Sequence, residues 1–157
     1  MRKRLIDLAP TTVQARSESW LDLDAAASVE VTSEDKDFPI EASLSAGQTH
    51  GWRATGPGSQ TIRLLFDERQ KLKRISLVFE EKESARTQEF VLRWSSEKAG
   101  PLRELVRQQW NFSPPTTTRE VEEYSVELSD VAVVELTIVP DISGGSARAS
   151  LKSLRLA

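Results

Sequence analysis

The chain has 157 residues, 38% hydrophobic and 29% charged, enough for one domain with its own core, which excludes a disordered or membrane-embedded protein. Its 21 basic residues stand against 24 acidic ones, and the net charge of −3 excludes a polybasic surface for nucleic acid or membrane. The absence of cysteine excludes disulfides, thiolate metal sites and cysteine nucleophiles, and the single histidine, His50, excludes a site built on two imidazoles.

The amino terminus, Met1-Arg2-Lys3-Arg4, has a basic start, but only Leu5-Ile6 follow before Asp7. An export signal needs about 7–15 apolar residues there, and a spanning helix needs roughly 18, so a cytoplasmic, bacterial-type protein is expected. Residues 1–28 read as a lead-in segment whose apolar knot, Trp20-Leu21-Asp22-Leu23, should dock on the body formed by 29–157. From Val29 the pattern has period two. Val29 and Val31 come first, then Ile62, Leu64 and Phe66, then Ile75, Leu77 and Phe79, then Phe90, Leu92 and Trp94. Tyr124, Val126 and Leu128 follow, then Val134, Leu136 and Ile138, and Leu154 and Leu156 close the chain. Such alternation places one set of side chains in a core and the other in solvent. Residues 102–110 admit a short helix through Leu102, Leu105, Val106 and Gln109, but the strand set Val106, Gln108, Trp110 and Phe112 suits the surroundings better. Gly56-Pro57-Gly58-Ser59, Ala99-Gly100-Pro101, Ser113-Pro114-Pro115 and Ser143-Gly144-Gly145 separate the runs. The pattern predicts an all-β sandwich with no long helix.

Several segments in order resemble the discoidin, or coagulation factor V/VIII C-type, domain of the galactose-binding-like superfamily. They are Thr32–Asp35 followed by Gly51-Trp52-Arg53-Ala54, then Gln60–Asp67, Lys73–Phe79, Glu89–Ser96 with Gly100, and the ending Ala149–Leu156. The resemblance covers residues 29–157 and implies a jelly-roll β-sandwich, a scaffold that hosts many functions. It also implies a core role for Trp52, anchoring the loop at 35–51, over the alternative of a stacking platform for sugar. Trp94, in phase with Phe90 and Leu92, is also expected in the core.

Sugar-binding relatives, the family 32 carbohydrate-binding modules, often carry a His after this Trp and an Arg on the loop before the strand that matches Glu89–Ser96. Here Arg53 replaces the His, and Arg86 is the match for the loop arginine; an ion pair to Glu83 or Glu89 is its plainer role. Antiparallel order places the loops at 82–87, 111–121 and 141–148 at one end. Arg86, Trp110, Asn111 and Thr117 are therefore the expected ligand-binding residues, and Arg86→Ala should abolish binding at a cost below about 1 kcal/mol. Many relatives hold calcium through an Asp-Gly in the loop before the Trp. Leu44-Ser45 stand there instead, with Asp35 and Asp37 upstream, so neither metal nor cofactor is expected.

Three further features carry no chemistry in this reading. Gly56-Pro57-Gly58 precedes a strand and lacks an amide at Pro57, so it is not a phosphate loop. Glu80-Glu81 and Glu122-Glu123 point alternately to opposite faces and do not converge. His50 has no nucleophile motif to serve and reads as a surface residue. The expected function is a non-catalytic ligand-binding module, with no catalytic residues, that takes carbohydrate through loops at one end of the sandwich. An intracellular protein–protein interaction module stands beside it, and a hydrolytic enzyme is a distant third. The expected partner is a carbohydrate or a protein, with neither nucleic acid nor membrane.

Overall fold

The structure is a computed structural model, and it describes residues 20–45, 47 and 50–157. The basic start and the first part of the lead-in segment lie outside these residues. Eight strands form among the described residues: β1 (Ala27–Val31), β2 (Trp52–Pro57), β3 (Gln60–Glu80), β4 (Arg86–Ser95), β5 (Arg103–Phe112), β6 (Arg119–Val139), β7 (Arg148–Leu151) and β8 (Ser153–Leu156). The helices are single turns, α1 (Leu23–Ala26) and α2 (Glu41–Leu44). The chain is an all-β sandwich, as the alternation predicts, with every strand pair antiparallel.

The long strands β3 and β6 organise it. The runs Ile62–Phe66 and Ile75–Phe79, which alternation alone presents as two strands, are halves of one strand of 21 residues. Buried hydrophobic positions are even-numbered up to Leu72 and odd-numbered from Ile75. A phase change of that kind needs an inserted residue, and the pairing with β6 is irregular between Leu65 and Arg74. In β6 the corresponding break falls at Asp130, whose φ of 57° lies in the left-handed region that aspartate tolerates. The first half of β3 pairs with the second half of β6 in the order β1-β3-β6-β4-β5, while the remaining half of β3 carries β8. β2 and β7 form a separate two-stranded ribbon.

The core joins these layers. Trp52, Phe66, Phe79, Phe90, Leu77, Leu92 and Leu136 are all buried, and the rings of Phe79 and Phe90 stack with centroids 5.3 Å apart. Each such side chain contributes about 1.5–3 kcal/mol by leaving water. Residues 103–112 take the strand option, because pairing with β4 in register (Trp110 opposite Gln88) satisfies their backbone. The ending splits in two: β7 pairs with β2 and β8 with β3, and between them the Lys152 N–H donates to Val78 O at 2.9 Å. At the other terminus Leu23 is buried, Leu21 N–H donates to Leu156 O at 2.8 Å, and the Arg74 guanidinium lies 4.1 Å from the Trp20 ring centroid.

Candidate functional site

Three connections meet at one end of the sandwich, as antiparallel order requires: 81–85, 113–118 and 140–147. Glu81 N–H donates to Thr118 O and Ile142 N–H to Thr87 O, each at 2.9 Å. Arg86 ties the first and the last of them together from beneath. Its side chain is 1% exposed. Nε donates to Glu81 Oε1 at 2.7 Å, and one terminal nitrogen donates to Pro140 O at 2.6 Å and to Gln88 Oε1 at 3.4 Å. The guanidinium carbon lies 4.9 Å from the centroid of the Phe112 ring. Glu81 also accepts from the backbone N–H groups of Glu83 and Ser84, at 3.0 and 3.3 Å. Burial works to raise the pKa of Glu81, but the Arg86 hydrogen bond and the two backbone N–H groups outweigh it and hold the carboxyl below its ordinary value. The exposed rim position expected for Arg86 is thus corrected. The side chain is a buried pin, and its carboxylate partner is Glu81 rather than Glu83 or Glu89.

Beside this pinned rim, between the β2–β7 ribbon and the 81–85 connection, lies an open cleft of about 440 Å³. Trp52 and Leu151 form its floor as register partners, both buried. Gly51 lets the two backbones approach: its φ is +80°, and a Cβ there would stand 2.5 Å from Leu151 O. Ser43 on α2 pins the same place, donating to Leu151 O and accepting from Trp52 N–H at 2.8 Å. Strand alternation turns Arg53, Arg148, Ser150 and Lys152 toward the cleft, opposite Glu80, Lys82, Glu83 and Ser84. The Arg53 guanidinium lies on the Phe38 ring, 4.7 Å from its centroid, and His50 meets that ring edge-on at 6.2 Å. Arg148 approaches Asp35 at 3.5 Å, and Lys152 approaches Glu80 at 3.6 Å. The result is an open concavity rich in donors and acceptors along the β2–β7 ribbon.

None of the four residues singled out from the sequence lines this cleft. Asn111 is exposed, and its Oδ1 accepts from the Thr87 hydroxyl at 2.6 Å. Thr117 closes a tight turn with Ser113 through two backbone bonds of 2.8 and 2.9 Å. Trp110 is half-buried beneath them, with its Nε1 out of water and unpaired. Trp52 is 1% exposed, and its Nε1 donates to Ser33 O at 3.0 Å, the core role expected of it. Trp94 is only half-buried and carries the Arg103 guanidinium on its ring at 5.5 Å.

The calcium donor set of the resembling domains does not fit here. Leu44 lies in α2, the Asp35 carboxylate is taken by Asp37 N–H at 3.0 Å and by Arg148, and Glu34 caps Ile40 N–H at 2.8 Å. Among the described residues no three histidine or carboxylate side chains come together as a metal-holding group.

Sequence reasoning missed two features. One is the cleft: Arg53 lies out of phase with the buried Trp52 and Ala54, a signal that it faces outward, but Arg148 and Phe38 join it only through the tertiary fold. The other is Glu120, buried on β6 in phase with Glu122 and Tyr124. Its Oε1 accepts from Gln88 Nε2 at 3.1 Å while its Oε2 is unpaired. Burial, followed by the neighbouring Glu122, pushes its pKa up to about 9, against the opposing pull of Gln88 and Arg86. Burial and the charges of Glu122 and Glu120 likewise push Tyr124 up to about 12.

No protein-family model and no curated protein matches the chain. Solved structures do. The chain is similar to the family 32 carbohydrate-binding module of AlyQ in complex with 4,5-unsaturated mannuronic acid, at 18% identity and a TM-score of 0.59, over 84% of this chain and 95% of that one. It is similar to the family 32 module of C. perfringens NanJ in complex with galactose, at 10% identity and a TM-score of 0.61, over 87% and 96%. A further family 32 module from Clostridium perfringens, in complex with GalNAc-β-1,3-galactose, aligns at 16% identity and a TM-score of 0.62, over 88% and 99%. The fold is therefore the discoidin-like β-sandwich of these modules.

Proposed function

We propose that the chain is a non-catalytic carbohydrate-binding module whose ligand lies in the cleft between the β2–β7 ribbon and the 81–85 connection. One observation carries this reading: a concavity of about 440 Å³ lined by charged and hydroxyl side chains at the loop end of a discoidin-like sandwich. Sugars are recognised by converging hydrogen bonds to hydroxyl groups, and Arg53, Arg148, Ser84 and Ser150 offer such bonds from a framework fixed by Trp52, Ser43 and Arg86. Three of the fold neighbours were solved with 4,5-unsaturated mannuronic acid, galactose and GalNAc-β-1,3-galactose, which supports a sugar as the ligand class. The protein–protein alternative draws on the exposed apolar side chains Val121 and Ile142, 49% and 50% exposed, but the polar cleft weighs more.

Screening the protein on a glycan array, followed by calorimetric titration of the hits, tests the reading. Binding should be lost in Ser150→Trp, which fills the cleft, with the fold unchanged by circular dichroism. Undiminished binding by that variant places the ligand elsewhere, and hydrolysis of a bound glycan contradicts the non-catalytic part. The cytoplasmic location is part of the same proposal and is checked by cell fractionation; among the described residues no helix is long and apolar enough to cross a membrane.

A further inference from the structure

This inference rests on the carbohydrate reading of the cleft and concerns which sugar it takes. Most charges around the cleft already have partners. Glu80 holds Arg119 at 3.3 Å and Lys152 at 3.6 Å, Glu81 holds Arg86 and two backbone N–H groups, and Asp35 holds Arg148 and Asp37 N–H. Among the lining residues, Arg53, Lys82 and Glu83 keep charges that no ion pair among the described residues meets, two cations against one anion. Arg53 is exposed, with its guanidinium carbon 4.7 Å from the Phe38 ring centroid, and its fork of N–H donors meets no acceptor among the described residues. That contact also covers a face of Phe38 on which a neutral sugar ring could stack. A held guanidinium with free donors matches a planar carboxylate, which it meets through two parallel charge-assisted hydrogen bonds.

We propose that the cleft binds a carboxylate-bearing sugar, a uronic-acid residue of an acidic oligosaccharide, and that Arg53 receives the carboxylate. Lys82 adds to the local positive field, and Arg148 and Ser150 stand where they bond the hydroxyl groups.

Calorimetric titration with four probes tests this: an oligouronate, the same oligosaccharide with its carboxyls reduced to alcohols, a sulfated neutral oligosaccharide, and galactose. The oligouronate should bind, weaken as salt is raised, and lose about tenfold or more on carboxyl reduction. Arg53→Ala should cost a similar factor for the oligouronate with the melting temperature unchanged, and Arg53→Lys should recover part of it. Equal binding of the reduced oligosaccharide or of galactose, or an Arg53→Ala variant that binds as the parent does, overturns the carboxylate inference and leaves the carbohydrate reading standing. Tighter binding of the sulfated probe overturns it in favour of a tetrahedral anion. Binding of no probe, together with an empty glycan array, overturns both.

Discussion

Replacing Arg86 by alanine separates a buried pin from an exposed binding residue. The substitution removes the hydrogen bonds to Glu81 and Pro140 O, at 2.7 and 2.6 Å, and the ring contact with Phe112. It strands the Pro140 carbonyl and leaves Glu81, 18% exposed, without its cation. Breaking a buried ion pair from one side costs about 3–5 kcal/mol. The lower end applies here, because Glu81 keeps the Glu83 and Ser84 N–H bonds and some water. For a chain of 157 residues, each kcal/mol moves the melting temperature by about 2–4 °C, so a fall of about 6–12 °C is expected. The acid side of the stability curve should change as well. Glu81 has a lowered folded pKa, so its contribution is present above its ordinary value of 4.5 and is lost as pH falls through the lowered value. Without Arg86 that acid dependence should flatten. Thermal melts by circular dichroism across acid and neutral pH measure both effects. A cost below about 1 kcal/mol, the size expected of a surface side chain, would refute the pin.

Trp52→Ala should cost about 3–5 kcal/mol in urea titration, because it empties a fully buried site and orphans the Ser33 carbonyl; a stable variant would mean that the ring does not support the cleft floor. Glu120 has a folded pKa near 9 against an ordinary 4.5, so the folded chain keeps a proton that the unfolded chain releases between those values. Its contribution is therefore complete below about pH 4.5 and is lost as pH climbs toward 9. Relative to the parent, Glu120→Gln should gain stability as pH rises from about 4.5 toward 9 and little below it, whereas a gain independent of pH would contradict the buried neutral acid. Since Asp35 and Glu34 are already bonded within the protein, EDTA should leave the melting temperature unchanged, and a drop reversed by calcium would reveal a site these contacts do not show.

Much of the sandwich was legible because alternation is local: Ile62, Leu64 and Phe66 state which face is buried without reference to any partner strand. That they belong to one strand with Ile75–Phe79 was not legible, since two runs out of phase look alike whether a bulge or a turn separates them. Arg86 could have been read correctly. It lies in phase with Gln88, Phe90 and Leu92, so the alternation that buries those residues buries the arginine too. The resemblance of this segment to the loop arginine of family 32 carbohydrate-binding modules points the other way, and the carboxylate that makes burial tolerable, Glu81, lies outside the strand where no periodicity marks it. The cleft was the least legible part. Phe38, Arg53, Lys82 and Arg148 come from four separate stretches of chain, and what gathers them is the pairing of β2 with β7 and the packing of that ribbon on the end of β3.

The central claim is that this cleft is where ligand binds, and an amide-resolved NMR titration with the glycan that binds most tightly tests it most directly. The account predicts shifts concentrated at Arg53, at Lys82–Ser84 and along Arg148–Lys152, with Trp110, Asn111 and Thr117 little changed. Shifts centred on residues 110–118 with the cleft silent would contradict it and return the site to the opposite side of the rim.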